Sequence, residues 1–563
     1  MGALDIEQEG LLAREPESMA DHPGDEESLT PVWRRHIVRR VPAWLNWKIV
    51  LLSLGLLILS AGFLASAFQG VRSSKETPTV PQEPALPIDE PGKPDDSWSP
   101  FEPAVCKEAD FHYQDQVLPL VFDQGRNIAF VEEADERTSG IPVRVAGYVQ
   151  VREVDEGGDP RILLEVASND EDLPVDILVD EDAQAMRVRV PAKFDSSRYR
   201  VSCVEIRATI FVPRGGEIRG LAVGVTHLDV SLLDSLSLRV ADLSKISSVV
   251  GDIASGASYP PSYEGKDAAA AASAKTDFSF VPAGSSYDFH SRVIEVSSTT
   301  GKIHGNWPLF DMLGLHTTSG DIKASITPKE VLESHPKPAV LSVSSISGNI
   351  WAAEPIHDVE KIPTRDYLVD IKSTSGDLHC FVAIGAGTHL KSTSSDITVD
   401  LKPVINTAQV TPEQPAQLET ITTSGRTAVR ILEPLWFEGD GSKSAINEPE
   451  DVPYIPVGSD DPYDIVPPAT TASSSSVFDR IQATHKSSSG AIGLNYPQSW
   501  EGNLFAESMS GSLKARGRDA RIVRKESGWP RSLHARKGNG DSNSLIRAHS
   551  LSGDVNALLG EER

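Results

Sequence analysis

At 563 residues the chain exceeds one compact core, and about 150 residues per domain leaves room for three or four units. A formal net charge of −27 repels phosphates, which excludes a nucleic-acid binder. Three cysteines, Cys106, Cys203 and Cys380, exclude a disulfide-dense scaffold and any zinc site of four thiolates.

Residues 1–30 carry nine acidic side chains against Arg14 alone, with few apolar residues and no periodicity, and read as a disordered tail. Residues 31–48 are a basic segment holding Arg34, Arg35, Arg39, Arg40 and Lys48. No charge interrupts the next stretch, 49–71. Its length at helical rise is about 34 Å, which crosses a hydrocarbon core. A cleavable signal peptide fits less well, because 48 residues precede the run and it is longer than the usual apolar region. The basic flank lies before the span, so the positive-inside bias keeps the N-terminus cytosolic and sends 72–563 to the extracellular or lumenal side. The expected arrangement is a single-pass type II anchor, with the lipid bilayer as one partner. Residues 72–104, rich in Pro and charge, form a stalk.

Residues 105–247 read as a strand-rich start, with alternating stretches at 141–151, 162–166, 185–190 and 204–212. Cys106 and Cys203 flank this region. They are a candidate disulfide in an oxidising compartment, although sequence alone leaves their distance open.

From 248 to 563 a phrase recurs: SVVGDI at Ser248–Ile253, STTGKI at Ser298–Ile303, TTSGDI at Thr317–Ile322, SISGNI at Ser345–Ile350 and STSGDL at Ser373–Leu378. Five more copies begin at Ser392, Thr422, Ser487, Ser508 and Ser550. All ten open with a hydroxyl, nine keep the glycine, and nine end in an aliphatic residue. The phrase reads as strand, tight turn, strand. The glycines at Gly251, Gly301, Gly320, Gly348, Gly376, Gly425, Gly490, Gly511 and Gly553 are structural turn residues, expected to supply positive φ. With Ser395 standing in once, the turn positions lie 50, 19, 28, 28, 19, 30, 65, 21 and 42 residues apart. The 42-residue gap reads as two short intervals with one degenerate unit. A coil of about 20 residues cannot bury its own apolar face, but stacked coils share a core. The expected fold is therefore all-β: a β-solenoid of roughly 20-residue coils with inserted loops at 256–286 and 438–476, plus one N-terminal transmembrane helix.

The alternating strand Val204–Pro213 (VEIRATIFVP), followed by these Ser/Thr-x-Ser-Gly-Asp-Ile phrases, resembles the adhesin-type β-solenoid family related to auto-transporter adhesin heads. The resemblance spans roughly residues 200–560. It implies a non-catalytic, surface-exposed role in binding or assembly, with a glycan or a surface protein as partner.

Catalytic signatures are absent: no zincin helix, nucleophile elbow, phosphate loop or dinucleotide fingerprint occurs. No catalytic, cofactor or metal residues are expected. The post-turn residues Asp252, Asp321, Asp377, Asp396 and Asp554 read as turn chemistry, because Lys302, Asn349, Arg426, Ala491 and Ser512 interrupt the column. One basic segment, 514–537, opposes the overall charge. Its Lys514, Arg516, Arg518, Arg521, Arg524 and Lys525 are candidate anion-binding residues. They either bind an acidic partner, pair with the acidic stretch 153–182 of the same chain, or are solvated. Two other functions stay open: a membrane-anchored polysaccharide-active β-solenoid enzyme, and a scaffold whose acidic tail recruits cytosolic partners. Oligomeric state is not legible at this level.

Overall fold

From Gly216 to Arg516 the chain crosses back and forth between two sheets, placing successive strands alternately in one and the other, except that Leu435–Phe437 follows Thr427–Ile431 on the same side. The structure, a computed structural model, describes residues 103–106, 109–155, 157–257, 287–332, 336–408, 410, 414–437, 477–538 and 542–560. All belong to one compact unit, Trp98–Arg563. The expected tail 1–30, basic segment 31–48, span 49–71, most of the stalk and the insert 438–476 lie outside the described residues. Among those described, no helix is long and apolar enough to cross a membrane. The single helical element there is a 3-10 turn at Val359–Lys361.

Apart from that turn the described residues are all-β, and their sheets are largely parallel. Through the middle of the domain a strand pairs with the strand two elements away, one winding later, as Asp288–Ser298 pairs with Met312–Thr317 and Ile303–Leu309 with Ile322–Pro328. In the first sheet the aliphatic residue closing each phrase falls into one column. Val230 pairs with Ile253, then Ile303, Ile322, Ile350, Leu378, Ile397, Thr427, Ile492 and Val555, and finally Leu513. In the second sheet the hydroxyls opening the phrases form a matching column from Ser248 to Ser508. Period-two alternation sends every second residue inward, as in Ile322–Pro328 and Tyr367–Ser373. The inward side chains of both sheets merge into one apolar cluster running from Leu118 to Leu559. The strand-rich start therefore shares the core of the repeats.

That start closes its end of the core with antiparallel pairings. Arg161–Ser168 runs against Cys203–Val212, whose ten residues are all buried. The segment around Cys106 is tied onto this strand. Glu205 accepts hydrogen bonds from the backbone N–H groups of Ala104, Val105 and Cys106 at 2.8–3.0 Å. Cys106 is also joined to Cys203 by a disulfide, with Cα atoms 5.9 Å apart. The buried Arg207 guanidinium meets the Glu165 carboxylate at 2.5 Å on the same strand pair.

Three expectations change. The turn glycines do not have positive φ; none of the nine is among the residues with that backbone conformation. The insert expected at 256–286 starts too early, since Gly256 and Ala257 complete strand Ile253–Ala257 and only 258–286 lies outside the described residues. The 42-residue interval holds no degenerate coil. It contains an antiparallel hairpin, Ala520–Glu526 with Arg531–Lys537. After the hairpin the chain turns back, and its last coil slots between two earlier ones: Leu545–Ser550 pairs with both Ile481–Ser487 and Gly502–Ser508. Interval counting assumes that stacking follows chain order, and here it does not.

Candidate functional site

Each part of the repeated phrase has a structural task. The opening hydroxyl accepts a hydrogen bond from the backbone N–H three residues on: Thr317 from Gly320 at 3.0 Å, Ser345 from Gly348 at 2.8 Å, Ser487 from Gly490 at 2.8 Å and Ser550 from Gly553 at 2.8 Å. The turn's buried donor is thereby paired. The glycine is required by closeness. A Cβ on Gly320 would lie 1.9 Å from the carbonyl oxygen of Gly301, and one on Gly348 would lie 1.9 Å from that of Gly320. Gly376, Gly425, Gly490 and Gly553 meet the turn below in the same way. Ser395 replaces glycine by turning its hydroxyl onto the Gly376 carbonyl at 2.6 Å.

The post-turn Asp or Asn accepts the backbone N–H of the neighbouring coil. Asp252 takes Lys302 at 2.7 Å, Asp321 takes Asn349 at 2.8 Å, Asn349 takes Asp377 at 3.0 Å, Asp377 takes Asp396 at 3.1 Å and Asp396 takes Arg426 at 2.7 Å. A carboxylate engaged this way needs no cation. At the end of the column the backbone N–H of Ser512 holds the Asp554 carboxyl below its usual range. No group of three or more metal-binding side chains occurs among the described residues.

Strongly shifted groups are interior. Burial pushes the Glu354 carboxyl up to about 8 and the Cys380 thiol up to about 12, and it lowers the His485 imidazole to about 3. His485 bonds Thr420 Oγ1 and Tyr496 Oη inside the core. An open groove of about 370 Å³ runs over the hydroxyl column at Ser248, Ser298, Thr299, Thr317 and Thr318. Its lining includes His316 and no carboxylate, so it offers no acid–base carboxylate pair for glycoside chemistry.

The basic residues have a different setting. Lys514 and Arg516 are exposed on strand Leu513–Arg516, Arg518 follows in the turn, and Arg521, Arg524 and Lys525 stand on strand Ala520–Glu526. That strand is the last of the 16-stranded second sheet. From Arg521 through Arg531 every residue is exposed. Arg524 pairs with Glu526, while Arg521 and Lys525 have no side-chain partner among the described residues. Further along the basic segment, Arg531 donates to the carbonyls of Ser510 and Gly511, and buried Lys537 donates to that of Gln498; these are structural. Sequence reading missed the apolar component beside the charges: Ile522 and Val523 are each 52% exposed and Trp529 is 78% exposed. Its trace in the sequence is the Arg-Ile-Val-Arg run, where two adjacent apolar residues break the alternation.

The acidic stretch lies at the other extreme. Strand Asp176–Asp180 is the opposite edge of the same sheet, with exposed Glu171, Asp172, Glu181 and Asp182 beside it. Fifteen strand spacings of about 4.8 Å separate the two edges by about 70 Å. The expected alternative of pairing within one chain is thus ruled out by distance.

No family model matches the chain, and no curated protein matches it. Three solved structures are similar to parts of it. A candidate adhesin from Parabacteroides distasonis is 10% identical, with a TM-score of 0.24, and the match covers 59% of this chain and 96% of that one. A candidate cell adhesion protein from Clostridium sporogenes is 6% identical, with a TM-score of 0.12, over 79% and 99% of the two chains. A candidate adhesin from Parabacteroides merdae is 10% identical, with a TM-score of 0.16, over 58% and 95%. These scores are too low for fold or function to be argued from them.

Proposed function

We propose that this chain is a non-catalytic binding and assembly module: a β-solenoid displayed from a membrane by the 49–71 span, whose basic terminal edge takes an acidic partner. The observation that carries the reading is the terminal strand Ala520–Glu526, exposed from Arg521 onward, with Arg521 and Lys525 unpaired beside Ile522 and Val523. Charges left without partners on a sheet edge attract an anionic surface at long range, and the neighbouring apolar area holds it at contact. The winding between two parallel sheets supports the solenoid reading. The uncharged run with its basic cytosolic flank supports membrane display.

The test is retention of the detergent-solubilised full chain on sulfated-polysaccharide beads across a salt gradient. Retention should weaken steeply with salt, and Arg521→Glu, Arg524→Glu and Lys525→Glu together should lower it at least tenfold. Turnover of the polysaccharide, or retention unaffected by the triple change, would reject the reading.

A further inference from the structure

The two ends of the second sheet carry opposite charge, and each ends in an exposed strand. Resting on the reading of the basic edge as a binding surface, we propose that its partner is the acidic edge of a second copy of this chain. Strand Ala520–Glu526 of one copy runs antiparallel to Asp176–Asp180 of the next, joining copies head to tail through the second sheet.

Direction comes first. Asp176–Asp180 is antiparallel to Ala185–Pro191, which is parallel to the body of the sheet. Ala520–Glu526 is separated from Gly502–Ser508 by two antiparallel steps, so it runs with the body. A copy displaced along the ladder therefore presents the two edges antiparallel to each other, with the better aligned hydrogen bonds of that pairing.

Register and face also agree. Val179 stands opposite the buried Met186, and Ile522 stands opposite the buried Ala535, so both lie on the core side of the sheet. Placing Val179 against Ile522 sets Asp180 against Arg521, both on the outer side. The bulge between Ile522 and Arg524 takes Val523 out of register, so the contact is anchored at Arg521 and Ile522. Both strands expose apolar surface at the join: Val179 is 39% and Ile522 52% accessible.

Charge decides between joining and protection. Sheet edges that must stay apart are blunted with charge, and protection works best when the two edges repel. Here Arg521, Arg524 and Lys525 on the edge strand, with Arg518 in the turn before it, meet an acidic edge that has no basic residue from 169 to 186. The distance between the ends excludes self-neutralisation within one chain. A contact between two different surfaces of the same molecule is heterologous, so it propagates as a chain of copies unless the rotation closes a ring.

Cross-linking tests the register directly. Full-length chains carrying Val179→Cys are mixed with full-length chains carrying Ile522→Cys under mild oxidation. Opposed Cα atoms in an antiparallel pair lie about 4.5–5.5 Å apart, within disulfide reach, and Cys380 is buried. The mixture should give a dimer on a non-reducing gel that neither variant gives alone, and the double variant should give a ladder. Arg521→Asp on the Ile522→Cys chain should cut the cross-link at least tenfold, and Asp180→Arg on its partner should restore it. No cross-link in the mixture, or cross-linking indifferent to these charge changes, overturns the proposal. If the bead retention described above survives that result, the basic edge binds acidic surfaces but not its own copy.

Discussion

Between Ser298 and Ile397 every turn rests on a copy of itself, whereas strand Ala520–Glu526 rests on a partner along one side only. In the middle, a hydroxyl, a glycine and a carboxylate satisfy one another's backbone groups from coil to coil, for example Ser345 with Gly348 and Asp321 with Asn349. At the end the glycine turn gives way to the basic hairpin. Repetition is cheap where each unit supplies its neighbour's needs. It must be abandoned where there is no next unit, and the residues that replace it are free to serve contact with something else.

The sharpest way to break the middle is to deny the close approach. Gly348→Val places a Cβ 1.9 Å from the Gly320 carbonyl oxygen. Backbone cannot yield there as a side chain would, so the domain should lose about 3 kcal/mol. Gly528→Ala, in the terminal hairpin where a Cβ meets nothing within 4 Å, should leave the melting temperature unchanged. Equal melting of both variants would remove the distinction between middle and end.

A second test uses the irregular coil that contains Glu354. Its buried carboxyl is raised from 4.5 to about 8 by burial, while the Ala383 N–H partly offsets the shift. Because the folded state holds the proton more tightly than the unfolded chain, stability is present below about pH 4.5 and is lost as pH rises toward about 8. Glu354→Gln keeps an acceptor for Ala383 without the charge. Its melting temperature should exceed that of the parent by a margin that grows from about pH 4.5 to about 8 and then levels off, and parallel pH profiles would refute the buried-acid account.

The smallest effect concerns the turn hydroxyl. Ser345→Ala leaves the Gly348 N–H buried without its acceptor and should cost about 1–2 kcal/mol. Ser345→Thr should restore most of that, as the Thr317 and Thr422 copies do naturally. Loss of stability in both variants alike would point to packing rather than to the hydrogen bond.

The all-β winding was legible because a hydroxyl, a glycine and an aliphatic residue return at fixed offsets, and offsets within one phrase are local. The role of glycine was misjudged for a reason of the same kind. Positive φ is a property of one residue's own backbone, whereas a carbonyl 1.9 Å from a notional Cβ belongs to a residue 28 positions away. The six basic candidates were visible as a charge reversal, but the place of Arg521, Arg524 and Lys525 on the edge of the second sheet was not. That place depends on the final coil slipping between two earlier ones, which leaves the hairpin outermost. By itself the sequence determined the unit: its turn, its inward aliphatic residue and its shared hydroxyl column. Tertiary structure alone decided the order in which units stack, and so which strands end the sheet. Strand pairing is chosen by complementary surfaces across the whole domain, and chain order constrains those surfaces only weakly once a loop is long enough to let a coil return.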